Sequence, residues 1–311
     1  MQVALAKDKM EIQPIFARHE TFHPRFGWLK KGFDKALENN TVFSEESAPS
    51  ILGVGKNMAK AIRYWSLAYK ILQEEPKKNG RTIIPTDFGK QLLGRDGWDP
   101  YLEDTASLWL LHWNFLKAPC HATAWYYAFN IFNRHVFTSD DMLSGLIEYK
   151  DREFPSSKIN VSSLSKDTTC LLRMYVEQRS REGLMEDSID SPFVELGLIK
   201  HYGDSKQYAM NIGPKPGLTP EIIVAACLEF AASHTEGTKT ITISRLLYEE
   251  GSPGLCFKIR ENVLCDAIEI ISTQFNDISL SETAGIIQMS YDKNPTELSE
   301  RLLKHYYQKR G

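Results

Sequence analysis

The five cysteines of this chain, Cys120, Cys170, Cys227, Cys256 and Cys265, are odd in number, widely spaced and never in a CxxC pair. That pattern excludes a zinc-ribbon framework and a disulfide scaffold, and it fits buried thiols in a reducing compartment. No apolar run reaches the roughly 20 residues that a membrane span needs. Met1–Lys7 lacks the apolar core of a signal peptide, so a soluble cytoplasmic protein without membrane contact is expected. There is no low-complexity tract and no sequence repeat. The common nuclease signatures (PD-x-D/E-x-K, HNH, GIY-YIG) are missing too. A phosphate loop fails on two counts: Ser50 stands where Gly-x4-Gly-Lys-Ser/Thr needs its first glycine, and Asn57 follows Lys56.

What is present is an uneven distribution of charge. Over 311 residues the net charge is only −3. Residues 1–95 nevertheless hold 16 Lys and Arg against 10 Asp and Glu, while the remainder holds 21 against 30. A basic head on an acidic body suits a DNA-reading unit joined to a body that docks proteins or metal. The length allows two or three domains, each with its own core.

The sharpest local pattern lies between Ser47 and Gly89. A short helix leads into Leu52-Gly53-Val54-Gly55, and a long amphipathic helix begins near Lys56 with Lys56, Asn57, Lys60 and Arg63 at its polar start. A polar gap from Pro76 to Gly80 precedes a β-rich run from Arg81 into Thr86-Asp87-Phe88-Gly89. This order predicts a helix-turn-helix followed by a wing. In such a unit the second helix offers its N-terminal residues to base edges while flanking Lys and Arg hold phosphates. The same four residues equally suit an ordinary solvated face. Before this pattern, Trp28, Leu29, Phe33 and Leu37 recur at helical spacing over Phe26–Leu37, with Lys30, Lys31 and Lys35 opposite.

Further along, the pattern predicts helices over Tyr101–Leu116, Trp125–Phe132, 139–153 and 162–179, with Thr138 or Ser139 as an N-cap. A hairpin over Lys200–Tyr208, turned at Gly203-Asp204, completes a second, less distinct winged arrangement. After the linker Gly213–Gly217 come helices over 219–233, 260–274 and 294–308, with a short segment Ser244–Glu250 between them. The expected fold is mainly α with short β hairpins (α+β), winged helix-turn-helix units being joined by a helical middle layer. Its expected parts are a DNA-binding unit over 1–95, a helical middle with a second winged unit over 96–213, and a mostly helical unit over 214–311.

Several strings, in order along the chain, resemble a family first catalogued as a domain of unknown function and encoded beside DNA phosphorothioation genes. They are Phe22–Gly32, Leu52–Met58, Arg63-Tyr64-Trp65, Asp99–Asp104, Leu108–His112 and Gly251-Ser252-Pro253-Gly254. The chain is similar to the nicking component of the Ssp-type system. That resemblance implies a DNA nicking role in phosphorothioation and anti-phage defence. It also implies partners: a cysteine desulfurase, an ATPase and a sulfurtransferase, besides double-stranded DNA. Two other readings stand beside it, a non-catalytic winged-helix adaptor that positions the sulfur-transfer enzymes and a transcriptional regulator. A wing edge also offers a way to pair into a homodimer.

A nickase needs carboxylates holding a divalent metal (Mg or Mn), or a nucleophile with a general base. The densest acidic group is Asp96, Asp99, Glu103 and Asp104, with His112 eight residues beyond Asp104. Asp99 and Glu103 are the candidate metal ligands, and Asp104 and His112 join them as candidate catalytic residues. Capping of a helix start explains the carboxylates equally well, and a core histidine explains His112. His19 and His23 are alternative general bases, although Pro24 rules out a zinc-protease helix there. Arg18, Arg25, Lys30 and Lys31 read as phosphate contacts. Glu177, Glu186, Asp187 and Asp190 form a further, solvated acidic group.

Overall fold

Helix spacing and turn residues account for the N-terminal unit. Helix α1 (Trp28–Glu38) buries Trp28, Leu29, Gly32, Phe33 and Ala36, one face of a 3.6-residue repeat. Helix α2 (Ala48–Leu52) ends at Gly53, which takes the left-handed φ of 62° that a side chain resists. The chain then enters α3 (Lys56–Ala68), whose inward face is Ala59, Ile62, Trp65 and Ser66. Strands β1 (Leu72–Glu74) and β2 (Ile83–Pro85) pair antiparallel with Gln73 opposite Ile84. Helix α4 (Asp87–Leu93) follows, capped by Thr86, whose hydroxyl accepts from the Gly89 amide.

The computed structural model describes residues 12–76, 78–178, 191–203, 206–235 and 237–310. Met1–Lys7, Asp204, Glu186, Asp187 and Asp190, which figured in the sequence reading, lie outside the described residues.

Helix α5 (Thr105–Leu116) starts later than expected, because Asp104 accepts from the Ala106 amide as its N-cap. Every residue from Ala106 to Leu116 is buried, so this helix is the centre of the core rather than an amphipathic surface element. Helix α6 (Thr123–Tyr126) runs on into a π-helical turn over Tyr127–Ile131. Strand β3 (Val136–Thr138) leads into α7 (Ser139–Glu153), with Thr138 and Asp141 forming a reciprocal capping box. Helix α8 (Val161–Tyr175) and the hairpin of β4 (Ile199–Tyr202) with β5 (Gln207–Met210) complete the middle unit. The sheet order is β3-β5-β4, all antiparallel.

The last unit has α9 (Pro220–His234), β6 (Thr240–Thr242), α10 (Ile243–Tyr248), α11 (Pro253–Phe257) and α12 (Glu261–Ser272). Strands β7 (Ile278–Thr283) and β8 (Ile286–Tyr291) follow, then α13 (Pro295–Gln308). The sheet order β6-β8-β7 repeats the arrangement of the middle unit. The segment expected to be mostly helical therefore carries a three-stranded sheet. Its hairpin turns at Ala284 and Gly285, which both have positive φ and so allow the tight turn. The described residues form an α+β fold in which one sheet falls within each of the three expected segments. No helix among them is long and apolar enough to cross a membrane.

Candidate nucleic-acid interface

A stripe on α3 opens into a cleft. Lys56, Lys60 and Arg63 are spaced four and three residues apart, hence on one face of the helix. Lys56 and Asn57 are exposed at its N-terminus and make no side-chain hydrogen bond or ion pair among the described residues. Lys60 and Arg63 continue into a concave region of about 1000 Å³. Its rim and floor include Arg18, Glu20, Tyr64, Lys70, Glu74 and His121. Lys60 pairs with Glu20 at 3.1 Å, and Arg63 pairs with Glu74 at 2.8 Å while also donating to the Gly80 carbonyl. Arg18 is exposed and makes no side-chain hydrogen bond or ion pair among the described residues.

Backbone strain is concentrated at this cleft. Ala17, Glu20, Thr21 and Lys70 all have positive φ without being glycine, each at a cost of about 1–2 kcal/mol. Surrounding contacts hold them there. His19 is wholly buried, and its Nε2 donates to Asp167 Oδ1 on α8 at 2.7 Å; the Ala17 amide donates to the same oxygen at 2.9 Å. The His19 ring stacks on Trp65 and meets Trp125 edge-on. Trp65 Nε1 in turn donates to the Phe22 carbonyl at 2.9 Å. Arg18 and Glu20 are thus presented to the cleft by a buried residue between them.

Lys70 and His121 at the cleft both have lowered pKa values. Lys70 donates to the carbonyls of Asn114 (2.7 Å) and Lys117 (2.6 Å) at the C-terminal end of α5. Burial, reinforced by the Lys117 charge, pulls its ammonium down to about 7. His121 is lowered from its ordinary value by burial first and by the Lys70 charge second, which favours its neutral imidazole. A neutral imidazole beside Arg18, Lys60 and Arg63 is equipped to accept a proton close to a bound phosphate.

The other expected site residues have different surroundings. Asp99 is buried and accepts from the amides of Glu103 (2.9 Å) and Asp104 (3.0 Å), forming the turn before α5. Asp104 caps α5 and also accepts from Tyr306 Oη at 2.8 Å and from the Arg310 guanidinium. Arg310 already supplies the positive charge at this carboxylate, and backbone donors occupy Asp99. The acidic group therefore caps α5 and docks α13. Glu103 is exposed beside it. Among the described residues no group of three or more His, Cys, Asp and Glu is placed to hold a metal. His112 is sealed in the core, receiving the Tyr175 hydroxyl at Nδ1 (2.8 Å) and donating from Nε2 to the Cys256 carbonyl (3.0 Å). Burial lowers it to about 4, so it stays neutral and out of reach of a substrate.

His23 is buried. Arg25 lies over the Phe22 and Trp28 rings, Lys30 pairs with Asp34 at 2.6 Å, and Lys31 donates to the Leu52 carbonyl that ends α2. These three cations support the unit from within, whereas Lys56, Asn57, Lys60 and Arg63 form the outward stripe. Sequence reasoning missed Lys70 and His121. The signal for His121 was slight: a histidine after Pro119-Cys120, about 60 residues from the helix it faces.

Residues 16–307 match the profile of a family described as protein of unknown function, DUF4007. No curated protein matches. Among solved structures, a magnesium ion-bound SspB crystal structure is 37% identical, with 96% of this chain and 89% of that chain covered at a TM-score of 0.89. A second SspB crystal structure is 35% identical over the same coverage, also with a TM-score of 0.89.

Proposed function

The chain belongs to the DUF4007 family, and from that membership and the basic cleft we propose that it binds duplex DNA and opens one strand for an Ssp-type phosphorothioation and anti-phage defence system. The observation that carries this reading is the likeness to SspB along nearly the whole chain. The order of α2, α3 and the β1–β2 hairpin supports reading the N-terminal unit as a winged helix, with α3 in the major groove. The middle and last units, each with the first and third strands paired, read as winged helices as well.

In this reading Lys56 holds phosphate at the groove edge, Asn57 faces base edges, and the backbone of one strand passes over the cleft. Arg18, Lys60 and Arg63 neutralise the phosphate charge, Lys60 and Arg63 by exchanging their Glu20 and Glu74 partners for it. His121 takes the proton of an attacking water. The phosphorus–oxygen bond to one neighbouring sugar then breaks, its departing oxygen takes a proton from solvent water, and the nick is left for a cysteine desulfurase, an ATPase and a sulfurtransferase to act upon.

The deciding experiment incubates the purified protein with supercoiled plasmid in Mg²⁺, Mn²⁺ or EDTA; magnesium comes first because an SspB structure holds it. Conversion to open circle is expected. Plasmid that is bound yet stays supercoiled in all three conditions would leave the adaptor reading, which the capped state of Asp99 and Asp104 favours.

Replacing Lys56 and Lys60 together by alanine should weaken duplex binding for every sequence. The slope of log affinity against log salt should fall by about 2, a loss of roughly 10- to 50-fold at 0.1 M salt. Anisotropy titrations at four salt concentrations measure it, and an unchanged slope would remove α3 from the interface.

A further inference from the structure

We infer that the outer face of α8 is a second duplex-DNA contact surface, separate from α3 and built on the middle unit. The inference rests on the DNA-binding reading above, and it begins from spacing. Ser162, Lys166, Thr169 and Arg173 follow one another at four, three and four residues, and all four are exposed. They form one straight stripe of two hydroxyls and two cations along the helix. The only acidic residue of α8, Asp167, is turned inward and held by His19 and the Ala17 amide, so no carboxylate of the helix interrupts the stripe.

Among the described residues the cations of this face are unspent. Lys166 and Arg173 make no ion pair or side-chain hydrogen bond among the described residues, and the same holds for exposed Lys158, just ahead of the helix. On α3, by comparison, Lys60 and Arg63 each already have a glutamate. Unpaired Lys and Arg in a row bind a regular polyanion without first breaking an internal bridge. The helix also occupies the corresponding place in its unit: it precedes a β hairpin, just as α3 precedes β1 and β2. His201 of that hairpin donates from Nε2 to the Glu177 carbonyl at 3.1 Å, tying the hairpin to the chain that leaves α8.

The third unit supplies an internal contrast. Its helix before the hairpin, α12, exposes Glu261, Asp266 and Glu269 and carries no Lys or Arg. That face repels phosphate. The same architecture therefore presents basic faces in the first two units and an acidic one in the third, which confines duplex DNA to α3 and α8.

The test is anisotropy on a labelled 30-base-pair duplex with the full chain, comparing the parent, Lys166→Ala/Arg173→Ala and Lys56→Ala/Lys60→Ala across salt. The α8 pair should lose about 50-fold in affinity at 0.1 M salt and about 2 in salt slope, as expected for two phosphate contacts. Charge reversal, Lys166→Glu/Arg173→Glu, should weaken binding further, while Glu261→Ala/Glu269→Ala should not weaken it. All of these positions are exposed, and equal thermal midpoints confirm that folding is intact. If the α8 pair binds duplex like the parent while the α3 pair does not, this inference falls and the proposed function stands. Parental binding by both variants would overturn both. Loss of single-stranded RNA binding with duplex affinity retained would also overturn the inference, since the face would then serve another polyanion.

Discussion

His121→Gln is expected to lower strand opening by about 10²–10⁴-fold, the usual contribution of a positioned general base, with duplex affinity unchanged. Glutamine keeps the size and polarity of the side chain but cannot take up a proton near neutral pH. In the proposed role the imidazole accepts a proton only while unprotonated, so the rate should fall as pH drops through its acidity constant. Burial and the Lys70 charge set that constant below the ordinary 6.5. The acid limb of the pH–rate profile therefore lies below pH 6.5. Lys70→Gln removes one of the two causes and should move the limb upward, an effect a purely structural role for His121 would not produce. A His121→Gln enzyme that nicks plasmid at the parental rate, or a limb unmoved in Lys70→Gln, would take proton transfer away from this residue.

The stripe that leads to His121 was legible in the sequence, whereas the cleft was not. Lys56, Asn57, Lys60 and Arg63 stand together on a helix whose apolar face, Ala59, Ile62 and Trp65, sets its orientation. The cleft joins Arg18, Lys70 and His121, which are brought together by chain reversals that periodicity does not encode. Asp99, Glu103 and Asp104 show a different limit of the sequence. Carboxylates before a helix look alike whether they cap it or bind metal, and the capping role of Asp99 and Asp104 becomes visible only in the amides of Glu103, Asp104 and Ala106. His112 was misplaced because two turns from Asp104 counts as neighbouring only on a helix with a solvent face, and α5 has none. The hairpin of β7 and β8 was passed over because its turn is Ala284-Gly285 rather than a stronger Asn-Gly signal. His19, an alternative general base on its sequence context, is wholly buried and bonded to Asp167, so it positions its neighbours.

That role gives the largest expected stability effect. Asp167→Ala should destabilise the protein by about 3–5 kcal/mol, the usual cost of removing one partner from a buried polar pair. The loss leaves His19 Nε2 and the Ala17 amide without their acceptor inside a cage that includes Trp65 and Trp125. Asp167→Asn should be milder, because an amide oxygen still accepts from both donors. Burial raises the Asp167 carboxyl above its ordinary value more than His19 and Ala17 lower it. A raised folded-state value contributes stability below the unfolded value and loses it as pH rises through the folded one. The deficit of Asp167→Asn relative to the parent should therefore shrink as pH rises across that window. Urea midpoints at several pH values measure both effects. The two variants should also separate stability from function. Asp167→Asn, still holding Ala17 and His19, keeps Arg18 and Glu20 at the cleft and should nick plasmid well below its melting temperature. Asp167→Ala frees the strained backbone at Ala17, Glu20 and Thr21 to relax and should lose nicking even where it remains folded. Parental stability and activity in Asp167→Ala would mean that the contact between α8 and the N-terminal unit is incidental. Loss of activity in the folded alanine variant would show that the contact aligns the cleft.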